Sequence, residues 1–187
     1  MERPYEGRAI LQDNFTDLQI IIPAKRNWFV LLFLGAWICG WVMGELFAIG
    51  SLTGLLFGKS VGSLFILFWL VGWTVGGFFA FNVFLWNLRG KEIVTIGQGT
   101  LSIVKKGALI GKSKTYDLKE VKNMRVQDDA PDYGIFGRRN DLAAFKQSGI
   151  IRFDYGFKTI KFADGIDEAE ANYLLEKMKE KHFIAAV

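Results

Sequence analysis

The sequence has few of the residues that carry most enzyme and metal chemistry. Its 187 residues include one cysteine, Cys39, one histidine, His182, and three prolines. A single cysteine excludes an internal disulfide and a cysteine-based metal site, and a single histidine excludes a histidine cradle for a metal or haem. The sequence also contains no Gly-x-x-x-x-Gly-Lys-Ser/Thr phosphate-binding loop. We therefore expect a protein that is not an enzyme and holds no cofactor.

Charge is also scarce and unevenly spread. Charged residues make up 22% of the chain and hydrophobic residues 51%, and the mean hydropathy is +0.22. Phenylalanine and tryptophan concentrate before residue 90, whereas most charges follow it, which indicates an apolar part joined to a polar part. The formal net charge is only +4, with basic and acidic residues interleaved, so nucleic acid is not an expected partner.

Two long apolar runs predict a transmembrane helical hairpin over residues 27–89. The first run covers about residues 28–48 and the second about 61–88, or roughly 31 and 42 Å of helix. The short segment between them is rich in glycine and serine and predicts a loop. A segment of 27 residues that includes four acidic side chains precedes the first run, so we expect this run to remain as an anchor and not to be a cleaved signal peptide.

Basic residues flank the predicted hairpin at one end. Lys25 and Arg26 precede the first run, Arg89 and Lys91 follow the second, and the connecting loop carries only Lys59. The positive-inside rule therefore predicts a multi-pass protein with both termini in the cytoplasm.

Small residues in the two runs have the spacing that lets helix backbones approach closely. Gly40 and Gly44 form one Gly-x-x-x-Gly pair, and Gly72 and Gly76 form another. These glycines either pack the hairpin on itself or form an interface with a helix of another protein. Glu45 is the only carboxylate within the apolar stretches, and its place near one end of its run predicts that it reaches the headgroups. The dense aromatic residues around them face lipid, flat pigments or another protein.

After residue 90 the pattern changes to short alternating segments, which predict an antiparallel sheet or barrel with one wet face. About six or seven strands are expected, with six of them at residues 92–96, 99–105, 111–117, 121–126, 149–155 and 157–163. A capping box beginning at Asp167 then predicts one amphipathic helix, whose apolar face carries Ala171, Leu174, Leu175, Met178 and His182. The fold class is thus a membrane α-helical hairpin with an α+β domain over residues 90–187. We expect residues 1–26 to form a cytoplasmic segment with an edge strand that ends at Pro23.

A hairpin joined to a sheet domain with one final helix resembles bacterial membrane proteins that carry a C-terminal pleckstrin-homology-like (PH-like) domain. The segments that carry the resemblance are Gly90–Ile93, Gly99–Ile103, Lys114–Leu118, Val121–Arg125, Gly149–Tyr155 and Asp167–Glu170. The order of parts also resembles the photosystem I assembly protein family Ycf-four. The resemblance implies a PH-like domain on the cytoplasmic face of a bacterial inner membrane.

Two segments of this domain are candidates for binding. Lysines cluster around a predicted hairpin at Lys105, Lys106, Lys112 and Lys114. They predict weak attraction to anionic membrane lipids, or a solvated turn that protects an edge strand.

The second candidate segment, residues 127–141, breaks the strand periodicity. Its aromatic and arginine residues have the composition of a protein interface: Tyr133, Ile135, Phe136, Arg138 and Arg139. They are equally consistent with folding under the sheet. The aspartates of this segment lack the spacing of a calcium loop, so no metal is expected.

Together these features favour a non-catalytic accessory, scaffold or assembly subunit of a larger integral membrane complex, either photosynthetic or respiratory. The expected partners are the helices of that complex and membrane lipids. The alternative is a membrane-anchored module that senses lipid or peptide.

Overall fold

The structure, a computed structural model, describes residues 7–14, 16–58, 62–127 and 149–181. Within these residues the chain divides into two compact units. The sheet unit contains the described residues within 7–25, 90–106 and 111–181, and the helical unit contains those within 26–89 and 107–110. The sheet unit is therefore assembled from both sides of the helical segment.

The helical unit contains two long helices, α1 (Trp28–Gly58) and α2 (Gly62–Arg89). The most apolar parts are Trp28–Ser51, with a mean hydropathy of 1.9, and Phe65–Arg89, with a mean hydropathy of 1.7. Both helices are long and apolar enough to cross a membrane, as the sequence predicts.

Helix α1 is longer than the sequence predicts. The Asn27 side chain caps its start by accepting the N–H of Phe29 at 3.1 Å. The predicted loop after residue 48 is wrong, because the helix continues to Gly58. The segment is rich in glycine but contains no proline, and an isolated glycine weakens a helix by only about 1 kcal/mol. The Thr53 hydroxyl also donates to the Gly50 carbonyl within this last part of the helix.

The first sheet contains five antiparallel strands in sequence order. They are β1 (Ile10–Asn14), β2 (Asp17–Pro23), β3 (Lys91–Gly97), β4 (Thr100–Lys106) and β5 (Lys112–Asp117). Strands β2 and β3 pair along their whole lengths, although both long helices lie between them in the sequence. The Ala24 N–H donates to the Gly90 carbonyl at 2.9 Å, so the pairing continues to the points where the chain leaves and re-enters the sheet. The helical hairpin is thus an insertion in a β-hairpin.

The strand that ends at Pro23 is not an edge strand, contrary to the sequence-based expectation. It is β2, and it lies between β1 and β3. Its alternate residues Leu18, Ile20 and Ile22 are all buried, so this strand supplies a central row of the core. The outer edge is β1, which the sequence analysis did not identify, because its polar residues give only a weak strand pattern.

The second sheet contains three antiparallel strands, and one helix follows it. The strands are β6 (Val121–Val126), β7 (Ile151–Tyr155) and β8 (Lys158–Phe162), and the helix is α3 (Glu168–Glu180). The six strands predicted after residue 90 are all present, close to their expected limits. Gly156, at φ +57°, forms the tight turn between β7 and β8.

The core of the sheet unit lies between the sheets and α3. Phe153 contacts both Tyr116 and Phe162 in edge-to-face geometry, with ring centroids 5.2 and 6.0 Å apart. The predicted apolar face of α3 is buried through Ala171, Leu174, Leu175 and Met178. His182, which the sequence places on the same face, lies outside the described residues.

The N-terminal segment is fixed to the start of α3. Asp167 caps this helix, and its carboxylate accepts the N–H of Glu170 at 2.8 Å, as the capping-box pattern predicts. The buried Glu170 side chain accepts the N–H of Ala9 at 2.6 Å. Arg8 donates to the Gly165 carbonyl at 2.9 Å. Residues 8 and 9 are therefore part of the folded sheet unit.

Candidate functional site

The contact between α1 and α2 is centred on Trp73, and we call this contact the seam. The Trp41 indole donates to the Trp73 carbonyl at 3.1 Å. Trp69 stacks on Trp73 with ring centroids 4.8 Å apart, and Trp37 lies at 6.3 Å. The seam is thus built from tryptophan rings, which give large contact areas and leave little room for side chains opposite them.

Two glycines provide the space that these rings need. A Cβ atom on Gly77 would collide with the Trp41 ring, and Gly77 itself is buried. A Cβ atom on Gly44 would lie 3.6 Å from the Trp73 ring, in ordinary van der Waals contact. Of the four glycines that the sequence analysis identified, Gly44 therefore packs the hairpin on itself.

The other three, Gly40, Gly72 and Gly76, are exposed and do not take part in the seam. Apart from the neighbouring residues in the chain and the backbone of the same helix turn, no atom of the described residues lies within 4 Å of a Cβ atom placed on any of them. The spacing alone did not separate the glycine that packs the hairpin from the three that do not, because all four match the same motif.

The three open glycines lie on one side of the hairpin. Each directly precedes a seam residue: Gly40 precedes Trp41, Gly72 precedes Trp73, and Gly76 precedes Gly77. In a right-handed helix each residue is rotated by about 100° from the one before it. Because α1 and α2 face each other and run in opposite directions, the residue that precedes a seam residue is turned to the same side of the pair in both helices. We call this surface the glycine side.

Glu45 contacts the second helix, whereas the sequence analysis predicts that it reaches the headgroups. The Thr74 hydroxyl donates to Glu45 Oε1 at 2.6 Å. Glu45 Oε2 is covered and has no hydrogen-bond partner among the described residues. The hydroxyl on α2 offers the carboxylate a nearby donor in an apolar environment, which accounts for its direction.

The four lysines of the predicted basic hairpin do not share one surface. Successive side chains of a strand point to opposite faces of its sheet. Lys105 on β4 and Lys112 and Lys114 on β5 therefore lie on the inward face of the five-stranded sheet, and Lys106 lies on the outward face. Two cross-strand rows on the inward face begin with isoleucine on β2 and end with lysine on β5. One row contains Ile22, Glu92, Lys105 and Lys112, and the next contains Ile20, Val94, Ile103 and Lys114.

A cleft of about 260 Å³ lies at the ends of these rows that carry the lysines, and we call it the lysine cleft. Residues of β3, β4, β5 and β8 line it: Glu92, Ile103, Lys105, Lys112, Lys114, Tyr116, Thr159, Ile160 and Lys161. The cleft therefore carries four lysines and one carboxylate above two isoleucines and a tyrosine.

Glu92 is almost fully buried in the wall of this cleft, with 2% of its surface exposed. Its Oε2 atom accepts the N–H groups of Ala163 at 3.0 Å and Asp164 at 3.3 Å. Its Oε1 atom lies 3.9 Å from the Lys105 ammonium and has no hydrogen-bond partner among the described residues. Burial raises the pKa of the Glu92 carboxyl, while Lys105 and the two backbone donors oppose that shift.

Sequence reasoning missed Glu92, Tyr116 and Lys161 as parts of this cleft. The strand pattern does place Glu92 on the inward face, because positions 92, 94 and 96 of β3 share one face of the sheet and Val94 and Ile96 are apolar. Lys161 could not be assigned, since β8 reaches the cleft only through the packing of the two sheets.

The remaining candidate residues lie outside the described part of the chain. They are Tyr133, Ile135, Phe136, Arg138 and Arg139, together with the neighbouring aspartates. Within the described ranges, no group of three histidine, cysteine or acidic side chains is placed to hold a metal ion.

Comparison with known proteins does not assign the chain to a family. No protein-family profile matches the sequence, and no curated protein matches it.

Proposed function

We propose that the protein is a non-catalytic accessory, scaffold or assembly subunit of a larger integral membrane complex, and that its glycine side docks against helices of that complex. The observation that carries this proposal is the position of Gly40, Gly72 and Gly76. All three are exposed on one side of the hairpin and contribute nothing to its internal seam.

The physical basis is the energetics of helix association in lipid. Lipid tails are as apolar as leucine, so exposed aromatic surface by itself does not drive two helices together. Small residues allow close backbone approach, and the resulting van der Waals contact stabilises the pair. A partner helix can approach the glycine side closely because no side chain of the described residues occupies it.

The proposed location is the cytoplasmic membrane of a bacterium, with both termini in the cytoplasm. Lys25, Arg26, Arg89 and Lys91 flank the inner ends of the hairpin in this orientation. The hydrogen bond from Ala24 to Gly90 supports it, because both ends of the hairpin must then lie on the same side of the membrane.

In this proposal the sheet unit is a PH-like domain that orients the protein within its complex. Two antiparallel sheets followed by one amphipathic helix support that assignment. A photosynthetic or respiratory complex is the proposed partner class. The segment from Tyr133 to Arg139 supplies a second, cytoplasmic contact.

Leucine substitutions at the glycine side test the proposal. Gly40→Leu and Gly76→Leu should each release the partner after extraction in mild detergent, because leucine separates the two backbones. Gly50→Leu is the matched control, since Gly50 is also open and lies about 15 Å further along α1. It should leave co-purification unchanged. Retention of the partner by both glycine-side variants would contradict the proposal.

A further inference from the structure

The segment Gly107–Ile110 lies in the connection between β4 and β5 but belongs to the helical unit, and we call it the apolar loop. Two hydrogen bonds join it to α2. Arg89 Nε donates to the Gly107 carbonyl at 3.3 Å, and the Ile110 N–H donates to Asn82 Oδ1 at 3.1 Å. The apolar loop is therefore held against α2 at both of its ends.

The contact with Asn82 places the end of the apolar loop well inside the second apolar run. Asn82 belongs to the stretch Phe65–Arg89, which is apolar enough to cross a membrane. It precedes Arg89, the last residue of α2, by about 10 Å of helix. In the proposed membrane location, Ile110 therefore lies on the membrane side of the level at which α2 ends.

The side chains of the apolar loop are suited to lipid. Leu109 and Ile110 are each 49% exposed, and the loop contains no charged residue. Transfer of exposed aliphatic surface from water to an apolar phase is favourable in proportion to its area. Two adjacent aliphatic side chains at this depth would gain that free energy by contact with acyl chains.

Asn82 supplies what a backbone needs in order to enter the apolar layer. A backbone N–H in lipid has no water to accept it, so it is costly unless a protein group accepts it. The Asn82 amide oxygen accepts the Ile110 N–H. Asn82 itself lies in a run without any charged residue, where polar side chains are costly and are retained for specific partners. The apolar loop is such a partner.

We infer that the apolar loop is a further membrane contact of the protein, with Leu109 and Ile110 inserted among the acyl chains next to the lipid headgroups. Lys106 precedes the loop and Lys112 follows it, and both are exposed. Lysines in these positions reach the phosphate groups of the headgroups while the aliphatic side chains between them enter the apolar layer. The inference rests on the proposed membrane location of the hairpin, but it does not require docking at the glycine side.

A protein partner is the other class of occupant for these side chains. Protein interfaces are anchored mostly by tryptophan, tyrosine and arginine, and leucine is under-represented among the anchors. The apolar loop contains only glycine, alanine, leucine and isoleucine. Its composition and its depth along α2 therefore favour lipid.

The test uses the full chain, purified without partners and placed in nanodiscs of phosphatidylcholine and phosphatidylglycerol. An environment-sensitive fluorophore is attached to a single cysteine in a Cys39→Ser background. The test variants are Leu109→Cys and Ile110→Cys. Phe81→Cys is the control for lipid, since Phe81 is exposed on α2 beside the level of the loop. Lys119→Cys is the control for water, since Lys119 is exposed beyond the far end of β5.

We expect the probes at positions 109 and 110 to emit at shorter wavelength than the probe at position 119. They should also lose fluorescence to a lipid that carries a nitroxide near its headgroup, as the probe at position 81 does, whereas iodide in the water should quench mainly the probe at position 119.

Nitroxide quenching at position 81 but not at positions 109 and 110 would overturn the inference and leave the membrane location of the hairpin intact. Absence of quenching at position 81 as well would overturn both. Equal nitroxide quenching at positions 109, 110 and 119 would also overturn the inference, since it indicates adsorption that is not specific to the loop.

Discussion

Glu92 shows how one side chain links the two sheets. Its backbone lies on β3, and its carboxylate accepts two N–H groups at the end of β8. Ala163, one of these donors, has a φ of +64°, which is uncommon for a residue other than glycine. The carboxylate therefore stabilises a turn whose backbone groups would otherwise lack acceptors in a buried position.

The same residue gives the protein a predictable response to pH. Burial raises the Glu92 pKa above its ordinary value of 4.5, so the folded state holds this proton more tightly than the unfolded state. The stabilisation is complete below pH 4.5 and is lost as the pH rises through the raised pKa. Glu92→Gln keeps an acceptor for the two N–H groups and does not titrate.

We therefore expect the melting temperature of the wild-type chain to fall, relative to Glu92→Gln, between pH 4.5 and neutral pH. Thermal unfolding of both proteins in the same detergent, measured across this range, checks the expectation. Asp154→Asn is a comparison with the opposite sign. Hydrogen bonds from Thr159, Arg125 and Asn123 lower the pKa of the Asp154 carboxyl, so its contribution to stability is lost as the pH falls. A gap between wild type and Glu92→Gln that does not vary with pH would contradict the assignment.

Residue patterns predicted local contacts well and distant ones poorly. The cap at Asp167 and the buried face of α3 were predictable, because both depend on residues within a few positions of each other. The partner of Glu170 was not, since Ala9 lies 161 positions away in the sequence. Glu45 is a similar case, because its direction depends on Thr74 of the other helix.

Among the elements, the insertion of the helical hairpin between β2 and β3 has the clearest consequence. Strands β1 and β2 come from residues before the hairpin, and the buried side chains of β2 form a central row of the core. A fragment that begins at residue 91 lacks both strands. It exposes β3, whose Val94 and Ile96 are fully buried in the complete chain.

We predict that residues 91–187 alone do not fold to a stable domain. Residues 7–25 joined to residues 90–187 by a short flexible turn should fold, because Ala24 and Gly90 are already hydrogen-bonded neighbours. Amide exchange and size-exclusion chromatography of the two soluble proteins compare them directly. Cooperative unfolding of the shorter fragment, with protected amides, would show that β1 and β2 are dispensable.

The elements themselves were mostly predictable, whereas their pairing was not. Hydrophobic periodicity located the six later strands, and the two long apolar runs located the helices α1 and α2. It did not show that β2 is an inner strand, because a central strand is defined by neighbours on both sides and not by its own residues. The end of α1 was missed because glycine and serine signal a loop in water more strongly than in an apolar helix.

At the scale of the whole molecule, the orientation in the membrane is the first expectation to test. We predict that both termini and the sheet unit are cytoplasmic and that the connection between α1 and α2 is outside. Single cysteines at Ser60 and Ser148, in a Cys39→Ser background, can be probed on intact cells with an impermeant thiol reagent. Only the cysteine at position 60 should react. Reaction at position 148 but not at position 60 would contradict this prediction and indicate the opposite orientation in the membrane.

We propose that the glycine side, and no other face of the hairpin, contacts another membrane protein. Gly40 and Val42 are both exposed on α1 and are separated by about 200° around the helix, and Gly76 and Phe78 have the same relation on α2. These pairs compare two faces at the same depth in the membrane.

The most direct measurement is photo-crosslinking in intact cells, with a photoreactive residue placed singly at each of these four positions. We expect a discrete protein adduct from positions 40 and 76 and only diffuse or lipid products from positions 42 and 78. Equal adducts from all four positions, or an adduct confined to positions 42 and 78, would contradict it.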